Sequence, residues 1–217
     1  MNRTITVRGT GNVSLKPDQT IVSLTLKSLD KDYEKSAQKA AQLLEALRRA
    51  LAEADFGEDE LKTESFNIWA EHEGRPDKNG VYRNVFKGYA CSHSMKLEFD
   101  FDTERLAAAL RAIAGSVADP ELNISFAVKD RAAAEEALLR SAAANAGKKA
   151  AILADASGVQ LGELLCIDYS WGEKPMLSET SCRIEAKAMA ARRDMNLDMA
   201  PADIRLSDSA SFVWEIK

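Results

Sequence analysis

The side chains able to do acid-base, nucleophilic or metal chemistry are few in this chain, and their spacing brings no familiar set together. The two histidines are His72 and His93. His72 stands between Glu71 and Glu73 in a polar, turn-rich stretch, and adjacent residues of an extended chain point apart, so the trio does not read as a metal site. His93 falls on the apolar side of an alternating run and reads as a core histidine. The three cysteines, Cys91, Cys166 and Cys182, cannot all pair with one another and form no CxxC spacing. Cys91 and Cys166 lie in strand-like runs and are expected to be small buried hydrophobes; Cys182 lies in an aperiodic stretch and is the one thiol open to redox chemistry. Gly9-Thr10-Gly11 has no following helix, no third glycine and no GK[ST] signature, so a bulge or a close backbone approach explains it better than a phosphate loop. Lys148-Lys149 and Arg192-Arg193 read as solvated faces or helix ends. These residues suggest no catalytic, cofactor-binding or metal-ligating set, and the expectation is a protein that is not an enzyme and takes no cofactor.

The composition sets the class in which such a chain must work. With 217 residues, 46% of them hydrophobic and 29% charged, it is an ordinary globular sequence rather than a disordered or fibrous one. Its 29 basic and 34 acidic residues give a net charge of -5, a field that repels phosphate backbones and disfavours nucleic-acid binding. No run approaches the roughly 20 apolar residues of a membrane-spanning helix. Met1 to Gly11 read as a strand rather than a signal peptide, so the chain as written is expected in the cytoplasm, with the periplasm or cell envelope the alternative if an export signal has been removed. A reduced compartment also fits the cysteine usage.

The elements that position these residues follow from hydrophobic period. Alternation through Ile5, Val7, Val13 and Leu15, then through Val22, Leu24 and Leu26, predicts a β-hairpin. Asp32 caps a helix whose stripe runs from Tyr33 through Ala40, Leu47 and Leu51 to Ala54, with Gly57 as its end. A strand at Phe66, Ile68 and Ala70 reverses through Glu71 to Gly80 into a long strand, whose odd positions from Tyr89 to Phe101 are apolar. Asp102 or Thr103 opens a second helix, a short strand carries Ile124, Phe126 and Val128, and Asp130 caps an alanine-rich third helix with Leu139, Ala143, Ala146, Ala150 and Leu153 along one side. A strand at Leu165, Ile167, Tyr169 and Trp171, an aperiodic segment from Gly172 to Asp203, and a last strand from Ile204 to Ile216 complete the chain.

The order ββαββαβαββ predicts an α+β fold: antiparallel sheets with helices packed on one face, a split-βαβ (ferredoxin-like) unit from Ile21 to Val128, and a long projecting hairpin. No Pro-, Gly- or Ser-rich linker interrupts it, which predicts one domain over residues 1–217. Projecting strands leave backbone edges and apolar side chains without partners, so Trp69, Val85 and Phe86 are the expected self-association residues of a homo-oligomer. The alternative is a small-molecule or catalytic cleft near the late segment, lined by Tyr169, Trp171, Cys182 and Arg183.

Four stretches together resemble a known family. Ile5-x-Val7-x-Gly9-x-Gly11 followed by Pro17-Asp18 resembles the start of SIMPL-domain (YggE-like) proteins, long described as a domain of unknown function. Gly88-Tyr89 with Leu97 resembles the family's long central strand; Ala146, Lys149, Ala150, Leu153, Ala154, Gly158, Leu161 and Gly162 resemble its alanine-rich helix and following turn; Pro201, Ile204 and Phe212 fall where its closing strand would be. The chain departs from the pattern at Ala202, where the family often places glycine, and, with Met1 to Gly11 read as a strand, in the expectation of no export signal unless one has been removed. The resemblance implies an α+β fold, oligomeric rings in some bacterial members, a periplasmic or envelope location, a link to oxidative stress, and, from an animal relative that binds a kinase, a signalling adaptor as a further alternative. It implies no catalytic residues, because the family defines none, and the protein partner stays unspecified.

Overall fold

The computed structural model describes residues 3–76, 82–170, 172, 175–185 and 199–217, without the side chains of 184 and 185. Among these described residues eight strands and three α-helices occur in the order ββαββαβαβββ: β1 (Thr4–Leu15), β2 (Gln19–Asp30), α1 (Tyr33–Glu53), β3 (Leu61–Pro76), β4 (Tyr82–Asp100), α2 (Thr103–Gly115), β5 (Glu121–Ala127), α3 (Arg131–Ala156), β6 (Leu161–Asp168), β7 (Leu177–Glu185) and β8 (Ile204–Ile216). The fold is α+β, with two antiparallel sheets and helices against them. It divides into two compact units, one from Met1–Asp18, Ala127–Glu179 and Pro201–Lys217, the other from Gln19–Phe126 and Thr180–Ala200.

All three helices begin as their sequences dictate. The carboxylates of Asp32, Asp102 and Asp130 accept from first-turn amides, Asp32 from Glu34 at 2.9 Å, Asp102 from Glu104 at 2.7 Å and Asp130 from Ala133 at 2.8 Å. The end of α1 differs from expectation. It closes with Ala54 as cap and Asp55 in the left-handed region at φ 66°, while Gly57 lies beyond, where its amide donates to the Glu60 carboxylate at 2.8 Å.

The larger sheet has the order β3-β4-β2-β5-β7. Its first four strands are those of the split-βαβ unit, which puts β2 between β4 and β5. Val22, Leu24 and Leu26 of β2, Met95, Leu97 and Phe99 of β4, and Ile124 and Phe126 of β5 form one core with Leu47 and Leu51 of α1 and Leu106, Leu110 and Ile113 of α2. Burying each of these side chains contributes on the order of 1.5–3 kcal/mol. At the rim, the Arg105 guanidinium lies 5.0 Å from the Phe56 ring centroid and pairs with Glu60 at 2.7 Å.

The smaller sheet has the order β1-β8-β6, and its first pairing corrects the expected opening hairpin. β1 pairs with β8 in an unbroken antiparallel register from Thr4↔Glu215 to Leu15↔Ile204, whereas β2 pairs with β4. Alternation reveals that a segment is a strand, not which strand it meets. Asp18 marks the departure: its amide donates to the Ala127 carbonyl at 3.0 Å and its carboxylate accepts from the Lys129 amide at 2.8 Å.

Three further expectations change. The segment expected to be aperiodic contains β7, whose inward positions include Ser178 and Thr180, so its period-2 signal is weak in hydropathy alone. On α3 the buried stripe is Ala134, Leu138, Ala142, Ala146, Ala150 and Ala154, while Leu139, Ala143 and Leu153 are exposed. A helix this rich in alanine offers several stripes of equal hydrophobicity, and close packing on the sheet selects the one that is small almost throughout. Cys91 is buried, as its strand position implies, but Cys166 is exposed on β6.

Candidate self-association surface

β3 and β4 pair from Leu61↔Leu97 out to Pro76↔Tyr82, much further than β2 can follow, because the β2–β4 pairing stops at Asp30↔Tyr89. Beyond that point the two strands form a two-stranded arm of about 20 Å. Its base is Gly88, with φ 152°; a Cβ there would meet the Asp30 carbonyl oxygen at 2.5 Å and the Leu29 side chain at 3.3 Å. The register slips at the same place, between Glu71 and His72, so a bulge re-aims the arm where it leaves the sheet. Beside the base, the Lys39 ammonium at 2.6 Å and the Asp32 amide hold the Asp30 carboxyl below the usual carboxylate range.

Trp69, Val85 and Phe86 are all exposed, at 46%, 45% and 44%, but they do not form one patch. Phe86 lies opposite His72 and belongs to an aromatic face. Along it the rings of Tyr33 and Tyr89, Tyr89 and Phe86, and Phe86 and His72 meet edge to face at centroid separations of 5.6, 5.3 and 5.7 Å. Phe66 extends the same face, and its ring packs on His93 at 5.2 Å. Trp69 and Val85 point to the other face, where the ion pair Lys87–Glu71 at 2.8 Å lies between them, Val85 lies opposite Glu73, and the ion pair Arg75–Glu73 at 3.0 Å runs outward from there. Period 2, carried through the bulge, separates the three residues.

His93 is buried, and its Nε2 shares a hydrogen bond of 2.9 Å with the Thr63 hydroxyl. Burial, and secondarily the charge of Arg48, hold its pKa below the ordinary histidine value, so the ring is neutral at pH 7.

The residues of the expected cleft are divided between the two units. Tyr169 belongs to the smaller-sheet unit, where its hydroxyl hydrogen-bonds the Asp208 carboxylate at 3.1 Å and its ring packs beside Ala146, Ala210 and Phe212. Burial, then the bond to Asp208, raise its pKa. Cys182 and Arg183 belong to the larger-sheet unit, Cys182 half-buried against the core and Arg183 exposed. Trp171 lies outside the described residues.

The glycines of the opening motif have a definite role. β1 is an edge strand, and α3 lies on it so closely that a Cβ on Gly9 would collide with the Ala142 carbonyl oxygen and stand 2.7 Å from the Ala146 methyl, while one on Gly11 would collide with the Leu138 carbonyl oxygen. At that distance α3 also covers the strand's outer edge. The Asn145 side chain accepts from the Thr10 amide at 3.0 Å, the Ser141 hydroxyl from the Asn12 amide at 3.2 Å, and the Lys149 ammonium donates to the Arg8 carbonyl at 3.1 Å. Four helical residues rise about 6.0 Å, close to the roughly 6.7 Å between alternate strand residues, so positions 141, 145 and 149 keep step with 12, 10 and 8. Lys149 is therefore part of an edge cover. The i, i+4 row of polar residues beside the alanine stripe is the signal that could have revealed it.

Among the described residues no helix is long and apolar enough to cross a membrane. The chain is similar along nearly its whole length to a 26 kDa periplasmic immunogenic protein of Brucella melitensis, 28% identical over 98% of this chain and 84% of that protein. It is similarly related, at 27% identity over the same shares, to the 26 kDa periplasmic immunogenic protein of Brucella abortus. A crystal structure of the regulatory subunit of aspartate kinase from Thermus flavus aligns over 97% of this chain and 90% of that chain, but with 10% identity and a TM-score of 0.17 it carries no structural conclusion. Residues 5–214 match the family model described as SIMPL, protein of unknown function (DUF541), and the chain belongs to that family.

Proposed function

We propose that this protein is a non-enzymatic assembly protein of the bacterial periplasm that self-associates through its β3–β4 arm. The observation that carries this reading is the aromatic face that runs from the larger sheet onto the arm: Phe66 in the sheet and Phe86 on the arm are 49% and 44% exposed, Tyr33 at the start of α1 and Tyr82 on the arm are more so, and the arm itself is a two-stranded ribbon with little core of its own. A two-stranded ribbon is marginal in water by itself, and contiguous exposed apolar surface marks an interaction site. Burial against another subunit would stabilise the arm and cover the rings together. The periplasmic setting is supported by the location in the names of both Brucella relatives. The non-enzymatic reading is supported by both histidines, each engaged in packing, His93 with Thr63 and Phe66, His72 with Phe86.

Light scattering coupled to size-exclusion chromatography over a range of concentrations tests the reading. The wild-type chain is expected to elute at a multiple of 23.7 kDa, and Phe86→Ser combined with Tyr82→Ser is expected to lower that mass while leaving the circular dichroism spectrum unchanged. A wild-type monomer at every concentration would overturn the proposal.

A further inference from the structure

The self-association reading leaves open what the arm docks against. Resting on that reading, we propose that it docks edge to edge on β6 of a second copy of this chain, through the strand edge of β4 between Tyr82 and Gly88.

The acceptor is identified by contrast. In the β1-β8-β6 sheet the outer edge of β1 is covered by Ser141, Asn145 and Lys149, and among the described residues no side chain does the same for β6. β6 is exposed on both of its faces from Glu163 to Asp168, with Leu164, Leu165 and Ile167 at 45%, 49% and 55% exposure, and it contains neither lysine nor proline. Native edge strands are ordinarily blunted by such residues or by a cover, and a bare apolar edge is a template for another strand.

The donor follows from the base of the arm. Outward of Tyr89, β4 has lost β2, and among the described residues it pairs there with β3 alone, so no described strand lies beside the other backbone edge of Tyr82–Gly88. The two edges are complementary in charge. On β6 an apolar centre is flanked by Glu163 and Asp168; on β4 Val85 and Phe86 are flanked by Arg83 and Lys87. Antiparallel pairing with Arg83 opposite Asp168 sets Val85 against Cys166, Phe86 against Leu165 and Lys87 against Leu164, one residue from Glu163. Pairing β6 with β6 of another copy is disfavoured, because the register that matches Leu164 with Ile167 also sets Glu163 against Asp168. Each copy then carries one donor edge and one acceptor edge, a head-to-tail contact rather than a two-fold one.

Directly opposed antiparallel residues have Cα atoms about 4.5–5.5 Å apart, within disulfide reach, and Cys166 is already an exposed free thiol. The test is Val85→Cys in the full chain, oxidised with glutathione disulfide and run on non-reducing gels beside light scattering of the same samples. A disulfide-linked ladder is expected, and Cys166→Ser should abolish it. Asp168→Arg and Arg83→Asp should each raise the concentration needed for association by about tenfold or more, and the double variant should restore it. An oligomer in which Val85→Cys gives no link dependent on Cys166 would overturn the β6 assignment and leave self-association standing. Linkage of the wild-type chain through Cys166 alone would overturn it in favour of β6 pairing with itself. A monomer by scattering would remove the self-association reading, and this one with it.

Discussion

The carbonyl oxygen of Ala142 occupies the space into which a side chain on Gly9 would project. The obstacle is helix backbone, which cannot swing aside as a side chain can. Gly9→Ala must therefore push α3 off the sheet, loosening the Ala146 contact and the hydrogen bonds of Asn145 and Lys149 together. Overpacking of a tight contact costs about 1–3 kcal/mol, and this substitution should lie at or above the top of that range. Urea denaturation of Gly9→Ala and Gly11→Ala against wild type checks it, and midpoints unchanged in both would mean that α3 does not sit where the glycines admit it.

Gly147 provides the opposite case on the same helix. It lies inside α3, and a Cβ there would meet nothing within 4 Å. Gly147→Ala should stabilise the protein by about 0.5–1 kcal/mol through helix propensity alone. The pair of substitutions, glycine to alanine in each, should thus move the denaturation midpoint in opposite directions.

Asn145 distinguishes a working edge cover from incidental contact. Replacing it with alanine opens the Thr10 amide to water and should cost about 0.5–1.5 kcal/mol, whereas leucine, of similar helix propensity, leaves that amide both unbonded and screened, at about 1–3 kcal/mol. Leucine should therefore be the worse replacement despite its larger apolar surface. The reverse order in urea titrations would show that the bond contributes little.

Gly88 should tolerate substitution far less than Gly74, although both lie on the same ribbon. Its φ of 152° and the Asp30 carbonyl at 2.5 Å leave no room for a methyl group, while a Cβ on Gly74 would make an ordinary 3.6 Å contact with the Tyr82 ring. Gly88→Ala is expected to destabilise by about 1–3 kcal/mol and Gly74→Ala to change little. Thermal melts of the two variants provide the check.

How far these features can be read from the amino-acid order depends on their range. The three aspartate caps, the long β4 and the core positions of His93 and Cys91 are legible because each is set by neighbours within a few residues. The partner of β1 is not, since Val7 and Val13 alternate identically whether β8 or β2 lies beside them. The stripe of α3 is ambiguous for a related reason: alanine at 143 and at 142 are equivalent until the glycines of β1 select one. Along β3, alternation alone places Trp69 and Phe66 on opposite faces, but the bulge at Glu71/His72, which brings Phe86 on the arm to the Phe66 face, has no signature in hydropathy. The exposure of Cys166 is hidden likewise, because an apolar strand that is buried by its own chain and one left open for another have the same sequence.

His93 links the core to pH. Its pKa is depressed in the folded protein by burial, with the Arg48 charge adding to it, so the unfolded chain binds a proton more readily than the folded one. The stability this contributes is fully present above the unfolded histidine value of about 6.5 and is lost as pH falls from there through the lower folded value. Asparagine can keep a hydrogen bond with Thr63 but does not titrate in this range, so His93→Asn removes the slope even if it costs stability at neutral pH. The measurement is the urea midpoint of both proteins between pH 8 and pH 5. Wild type should lose more stability than His93→Asn over that interval, and parallel curves would mean that His93 takes up its proton in the folded state as easily as in the unfolded one.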